Sequence, residues 1–532
     1  MSLLRSFATV GSGTLSSRVL GFVREMMMAN ALGVGPVADA FNAAFQFPNT
    51  FRRLFAEGAF NTAFVPLFAK EIEGNGIDGA RRFSEEVFGV LFTVLLAITI
   101  AMELAMPWLV AYVFAPGFAD DPERYNLAVP LAAIMFPYLM CMSLAAMMSG
   151  MLNALRHYFA AAVAPVFLNI ILIAVLLWSW QMGYDAASIG YGLSWGVLAA
   201  GLVQLGIVWF AVRKAGVRLG FRRPRLTANV KRLLWLALPA AVTGGITQIN
   251  TLIGTAIAST QASAVSSLAY ADRVYQLPLG VIGIAVAIVL LPELARALKA
   301  GNAAEASSLQ NRSVEFSLFF TLPSAGAILV MAEPIVRVLY ERGAFAATGG
   351  TPVVAATLAV FGVGLPAFVL IKAFTPGFFA REDTRTPMIF AGISVGVNIA
   401  TALALFPTLG APGIAVASSI AGWVNASLLF GTLVRRGQWG FDRGLASRLP
   451  RLVFAAAAMS AFAWFAYDWW ASAWLQPATP LYYQVLALGA LIVASMLVYF
   501  VLAFATGGAS LGSIRRNLRR SGKPAVTASS ED

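Results

Sequence analysis

Apolar blocks of about twenty residues or more recur from one end of this chain to the other, and no other feature limits its fold so strongly. A helix needs roughly 20 such residues to cross the hydrocarbon core of a bilayer. Only 12% of the 532 residues are charged, against about 25% in a soluble globular protein. With 59% hydrophobic residues and a mean hydropathy of +0.76, the composition fits lipid. The expected class is an all-α polytopic membrane protein.

Polar and Pro/Gly-rich breaks divide the apolar sequence into fourteen spans. They lie near 7–32, 39–68, 87–111, 127–152, 160–180, 189–211, 233–258, 267–292, 314–332, 351–375, 388–406, 414–434, 452–474 and 481–506. An even number puts both termini on one side. Short cytoplasmic loops accumulate Lys and Arg, and with the termini inside, 28 of the 37 basic residues fall on inner segments. The outer loops keep Arg124, Arg337 and Arg342. This bias accounts for most of the net charge of +12, and its spread over many short loops argues against a nucleic-acid partner.

The single cysteine, Cys141, and the single histidine, His157, rule out an internal disulfide and a multi-histidine metal site. No catalytic motif stands in an extended loop, so the chain is read as a transporter and not an enzyme. The first apolar block has no cleavage-like end and is read as a retained helix.

An internal repeat organises the spans. Gln46-Phe-Pro answers Gln276-Leu-Pro at an offset of 230, and Pro137, Gly150, Arg156 and Asn169 answer Pro366, Gly377, Arg381 and Asn398 at offsets of 225 to 229. Six spans per repeat give two halves of equal orientation, related by a pseudo-two-fold along the membrane normal, as in many secondary transporters. The expected organisation is an N-lobe over 1–215, a C-lobe over 216–440, two appended helices over 441–508 and a basic cytoplasmic tail over 509–532. The appended pair is either plainly lipid-facing or a groove for a lipid tail.

Six basic residues lie inside or at the edges of spans: Arg18, Arg24, Arg52, Arg53, Arg273 and Lys372. A central Arg costs about 2.5 to 3.5 kcal/mol on insertion scales, so such residues generally face a bundle interior or a water-filled cavity. Ser17 and Arg24 share one helical face, as do Arg18 and Glu25. Arg18 and Arg24 are about 9 Å apart along the axis and roughly 120° apart around it. A straight helix points them at different walls, and Gly21 between them is the expected bend. The second span carries Asp39, Asn49, Arg52, Arg53 and Glu57 around Pro48, a break in the helical ladder. The eighth begins with Asp272 and Arg273.

This constellation admits two readings. Arg18, Arg24, Arg52 and Arg273 balance Glu25, Asp39, Glu57 and Asp272 on paper, as four structural ion pairs would. Alternatively, outer acids such as Asp39 serve as gate or cap residues and leave a deeper anion site. Arg at all four positions favours the second, because its planar fork binds phosphate oxygens in pairs.

Other signals are weaker. Glu103 in the third span reads as paired or interfacial. "EPIVRVLYERGAF" reads as an amphipathic segment on the membrane surface, and His157 as solvated.

The strings "SSRVLGFVRE", "ADAFNAAFQFPNTFRRLFAEGAFNTAFVPLFAKE", "APGF", "YADRVYQLPLGVIGIAVAIVLLPELAR" and "TPGFFAREDTRTP" together resemble the MurJ/MviN family of bacterial lipid II flippases. The resemblance runs over essentially all fourteen spans. It implies a fold of the multidrug/oligosaccharidyl-lipid/polysaccharide exporter type, with the last two helices forming a groove for the polyprenyl tail. The implied substrate is lipid II, the undecaprenyl-pyrophosphoryl disaccharide-pentapeptide, moved from the inner to the outer leaflet of the cytoplasmic membrane by alternating access. The implied binding arginines are Arg18, Arg24, Arg52 and Arg273, with the family's acid at Asp39 and Ser17, Glu25, Asn49, Glu57 and Asp272 in supporting or gating roles. Where some members carry Glu after the Asp-Arg pair, this chain has Gln276, which weakens any coupling role there.

No cofactor is expected. A coupling monovalent cation in spans seven, eleven and twelve, which hold no Asp or Glu, would have to use Asn250, Asn398, Thr401 and backbone carbonyls. Expected partners are lipid II, membrane lipids and the cell-wall synthesis machinery. The rival readings are a related polysaccharide-lipid flippase and a drug/cation antiporter of the same superfamily. Four cavity arginines count against cationic substrates.

Overall fold

The apolar blocks become helices because lipid leaves backbone groups no partner outside their own segment. The structure is a computed structural model that describes residues 3–53 and 60–509, and helices make up nearly all of them. In chain order the long helices are α1 (Leu3–Leu32), α2 (Pro36–Arg52), α3 (Phe60–Leu104), α4 (Pro122–Met135), α5 (Tyr138–Ala154), α6 (Tyr158–Met182), α7 (Ala186–Lys214), α8 (Ala228–Ala258), α9 (Ala264–Lys299), α10 (Ala303–Tyr340), α11 (Thr351–Phe379), α12 (Arg385–Leu409), α13 (Ala411–Arg435), α14 (Arg443–Ala466) and α15 (Leu481–Ala505). Among the described residues, ten helical stretches are long and apolar enough to cross a membrane. A plan of fourteen spans is compatible with this set.

Their ends carry ordinary stop and start chemistry. Asp121, Asp185, Thr227 and Asp442 accept backbone N–H groups in the first turns of α4, α7, α8 and α14, which satisfies donors the helix cannot. Gly76 (φ 66°) breaks α3 where the second span turns into the third. Exposed aromatics cluster at helix ends. Trp180 lies in the last turn of α6, Trp469 follows α14, and Tyr482 stands in the first turn of α15, positions amphipathic rings favour at a membrane interface.

The chain divides into two compact units. The first comprises the residues up to Arg273, with Leu339–Thr357 and Ala391–Ala421. Its core is aromatic: Phe47 stacks on Phe114 at 4.4 Å between centroids and meets Phe136 at 5.4 Å. The segment expected to lie on the membrane surface is instead folded inward, since Tyr340 and Phe345 are fully buried and pack on Tyr270. Its apolar face is therefore covered by protein.

The second unit comprises Val274–Val338, Leu358–Phe390 and the residues from Gly422. Here Trp439 packs among Phe374, Phe430 and Phe441. The appended helices pack on each other and on α10, where the buried Tyr499 hydroxyl donates to the Phe319 carbonyl at 2.7 Å.

The repeat recurs in the backbone. Two of the non-glycine residues with positive φ are Arg156 and Glu382, both at 62° and 226 positions apart, in the turns that follow α5 and α11. Asn169 of α6 reaches α1, and Asn398 of α12 reaches Asn250 of α8 at 2.8 Å. Gly21 and Asn250 thus occupy equivalent places at the same offset as the two asparagines.

Candidate functional site

Helix α1 runs through Gly21 with no non-helical dihedral. Gly21 faces a neighbour: a Cβ there would lie 3.5 Å from the Asn169 amide oxygen. With the helix unbroken, the two arginines point apart. Arg18 is exposed and makes no ion pair among the described residues, whereas Arg24 is 7% exposed.

Arg24 belongs to a network built from three distant stretches. Its Nη1 donates to Asn169 Oδ1 at 3.0 Å, and its Nη2 lies 3.5 Å from Glu25 Oε1. That same carboxylate oxygen accepts from Arg273 Nε at 2.5 Å. Asn169 completes the frame by donating through Nδ2 to the Ser17 carbonyl at 2.9 Å and to its hydroxyl at 3.4 Å. One carboxylate therefore serves two guanidinium groups, with Asp272 beside Arg273 as a second acid in the cluster. The buried Nε of Arg24 finds no acceptor among the described residues, and a buried donor of this kind calls for an explanation.

The other predicted residues are placed separately. In α2, Arg52 donates through Nε and Nη2 to Asn49 Oδ1 at 3.0 and 2.8 Å, one turn back and beyond Pro48. Arg53 is half-buried beside it, as is Asp272 next to Arg273. Glu57 lies outside the described residues.

Asp39 is fully buried and caps α9 across the fold. Its Oδ2 accepts from Ser263 N at 2.7 Å, and its Oδ1 accepts from Ser266 N at 2.9 Å and Ser266 Oγ at 2.7 Å. Arg124 Nη1 stands 3.9 Å away. The carboxylate thus supplies acceptors that the first turn of α9 lacks, and it does not neutralise the arginines of α1. Tyr270 donates to the Gly33 carbonyl at 3.0 Å, and Val34 N donates to Thr348 Oγ1 at 3.1 Å, fastening the same end.

Two participants escaped sequence reasoning. Asn169 figured there only as a repeat marker, although a lone Asn in an apolar helix is itself a signal. Arg124 figured only in the loop count. It is 5% exposed, pairs with Asp121 at 2.6 Å and donates to the carbonyls of Ser259 and Gln261.

The candidate cation residues also meet. Asn398 Nδ2 donates to Asn250 Oδ1 at 2.8 Å, and Ser418 Oγ approaches Asn398 Oδ1 at 3.4 Å. Among the described residues, no group of three His, Cys, Asp or Glu side chains could hold a metal ion.

Membrane-crossing helices with a buried network of two arginines around one carboxylate define a polytopic helical transporter. The fold agrees with an inward-facing multidrug transporter of the MOP superfamily, 16% identical, covering 79% of this chain and 95% of that one with a TM-score of 0.66. The profile of the family described as lipid II flippase MurJ matches residues 28–484. A protein of Rhizobium meliloti (strain 1021) called probable lipid II flippase MurJ is 69% identical over 98% of this chain and 97% of its own length. A Rhizobium tropici protein of the same description is 58% identical over the same shares. A solved lipid II flippase MurJ in an inward closed conformation is 25% identical, covers 96% of this chain and 99% of that one, and superposes with a TM-score of 0.75. This chain belongs to the lipid II flippase MurJ family.

Proposed function

We infer that the protein is a flippase that carries lipid II across the membrane, and that the Arg24–Glu25–Arg273 network receives its pyrophosphate. The carrying observation is the arginine pair on a single carboxylate, with the buried Nε–H of Arg24 still lacking an acceptor. A pyrophosphate supplies the acceptors this network lacks, in the bidentate geometry guanidinium groups prefer. Arg18, exposed on the next face of α1, and Arg52, held by Asn49, meet the headgroup at other points of its path.

The protein acts as a transporter, and its residues replace the water of the headgroup so that the charged part avoids hydrocarbon while the polyprenyl tail stays in lipid. In the reading proposed here the membrane is the bacterial cytoplasmic membrane, both termini are cytoplasmic, and transport runs outward. With a negative interior, outward movement of an anion is then downhill by about 2.3 kcal/mol per charge per 100 mV. Membrane potential is the driving term this reading favours. A monovalent cation at the neutral oxygens of Asn250, Asn398 and Ser418 would be an additional one. The supply and consumption of lipid II make the cell-wall synthesis machinery the natural partner.

The test is depletion of the protein in cells, followed by measurement of lipid II exposed on the outer leaflet and rescue with variants. Wild type restores exposure and Arg24→Ala does not. Full rescue by Arg24→Ala would overturn the anion site.

A further inference from the structure

The connection between α7 and α8 carries more charge than loop geometry requires. Between Arg213 and Arg232 there are eight Lys or Arg residues and no acid. All eight are exposed. Arg222 alone is neutralised, its Nε bonded to Glu85 at 2.8 Å. The other seven have no ion pair among the described residues.

The segment does not hang loose. Glu85 also accepts from Gly220 N at 3.1 Å, and Glu86 accepts from Thr227 Oγ1 at 2.8 Å, so two neighbouring carboxylates of α3 hold the backbone down. Gly89 makes this possible, since a Cβ there would lie 2.3 Å from the Arg222 carbonyl oxygen. With the backbone fixed from below, the cations are presented outward. Large apolar groups accompany them: Phe221, among the cations, is 61% exposed, and Trp235, just past Arg232 on α8, is 75% exposed.

We propose that this connection is a docking surface for anionic phospholipids. Headgroup phosphates sit on Arg218, Arg223, Arg225, Lys231 and Arg232, while Phe221 and Trp235 enter the boundary between headgroups and acyl chains. Charge complementarity selects this occupant. Basic clusters directly beside a membrane helix bind anionic headgroups, and aromatic side chains beside them favour an interface over a soluble acidic partner. The chemistry is independent of the proposed pyrophosphate site, which uses none of these residues.

The experiment uses the full chain in mixed micelles of phosphatidylcholine and phosphatidylglycerol in equal parts, with native mass spectrometry counting bound lipid. One variant changes Arg218, Arg223, Arg225, Lys231 and Arg232 to Gln. Its control changes Arg82, Arg312, Arg385, Arg435 and Arg443 to Gln, removing equal charge elsewhere. Each cation near an anionic surface changes partition by about five-fold, so the first variant should lose at least about ten-fold of its phosphatidylglycerol enrichment and the control less than about two-fold. Equal losses, or none, overturn the proposal. If the first variant fails to fold, a photoactivatable phosphatidylglycerol on the wild-type protein decides: adducts within residues 213–235 support the proposal, and adducts only elsewhere overturn it. Unchanged lipid binding by a variant that no longer supports growth would also overturn it, in favour of an acidic protein partner.

Discussion

Glu25 and Arg273 are separated by 248 positions in the sequence, yet the carboxylate of one accepts from the guanidinium of the other at 2.5 Å. Glu25 is 4% exposed and Arg24, its other partner, 7%. Breaking a buried ion pair from one side leaves the remaining charge uncompensated. Glu25→Gln should therefore destabilise the protein by about 3 kcal/mol, the low end for such a change because the Arg273 side chain is 36% exposed to screening. Thermal unfolding in detergent reads the loss, and an unchanged transition would refute the pairing as a stabilising contact.

Arg18 offers the complementary case. It is exposed and unpaired among the described residues, so Arg18→Ala should leave the unfolding temperature within about 1 °C of wild type, as for most surface substitutions. Outward exposure of lipid II should nevertheless fall. Normal transport by this variant would remove Arg18 from the headgroup path.

Asp39 holds three donors from the start of α9. Asp39→Ala removes a cap and leaves buried N–H groups without an acceptor, at a cost of about 1 to 3 kcal/mol. The effect is local, so a cysteine placed at Thr260 should react faster with a membrane-impermeant maleimide in the variant. Equal rates would mean that the cap does not fasten this end.

Gly33 has a φ of 62°, and a Cβ there would lie 2.6 Å from the Ala344 carbonyl oxygen. Both the dihedral and the space exclude a side chain. Gly33→Ala should raise maleimide labelling at the same cysteine, as Asp39→Ala does, whereas Gly35→Ala, with open space around it, should not.

The turn after α11 makes a pH prediction. Asp383 is held down to about 2 by its hydrogen bond from Thr386 and by Arg436 at 2.7 Å. A carboxylate with a depressed folded pKa contributes stability above its unfolded value near 4 and loses it as pH falls towards 2. The unfolding temperature of wild type should fall more steeply than that of Asp383→Asn across that window. Parallel curves would show that Asp383 adds nothing.

Much of this was legible in the sequence because membrane solvation is severe. Apolar length located the helices, and the cost of charge in lipid singled out Arg24, Asp39 and Arg273 before any contact was known. Partner choice was hidden. The Glu25–Arg273 contact joins the first and eighth spans, and no local periodicity encodes a separation of 248 residues. Asp39 could be read as a counter-charge or as a gate or cap residue, and its acceptors go to donors at the start of α9, a partner that residue composition does not name. Gly21 looked like a hinge because glycine permits bending, whereas the structure sets it at ordinary contact distance from Asn169, in a helix with no irregular dihedral. Arg124 was hidden because a loop arginine is ordinarily solvated, and only the fold turns it inward.

Asn169 grips α1 twice, at the Ser17 carbonyl and at the Arg24 guanidinium, and both grips come from one amide on α6. A phosphate that draws Arg24 towards itself must pull against that amide. If Arg24 receives the headgroup as proposed, arrival of cargo would be felt at once by two helices far apart in the chain, with the amide as a strain gauge between them.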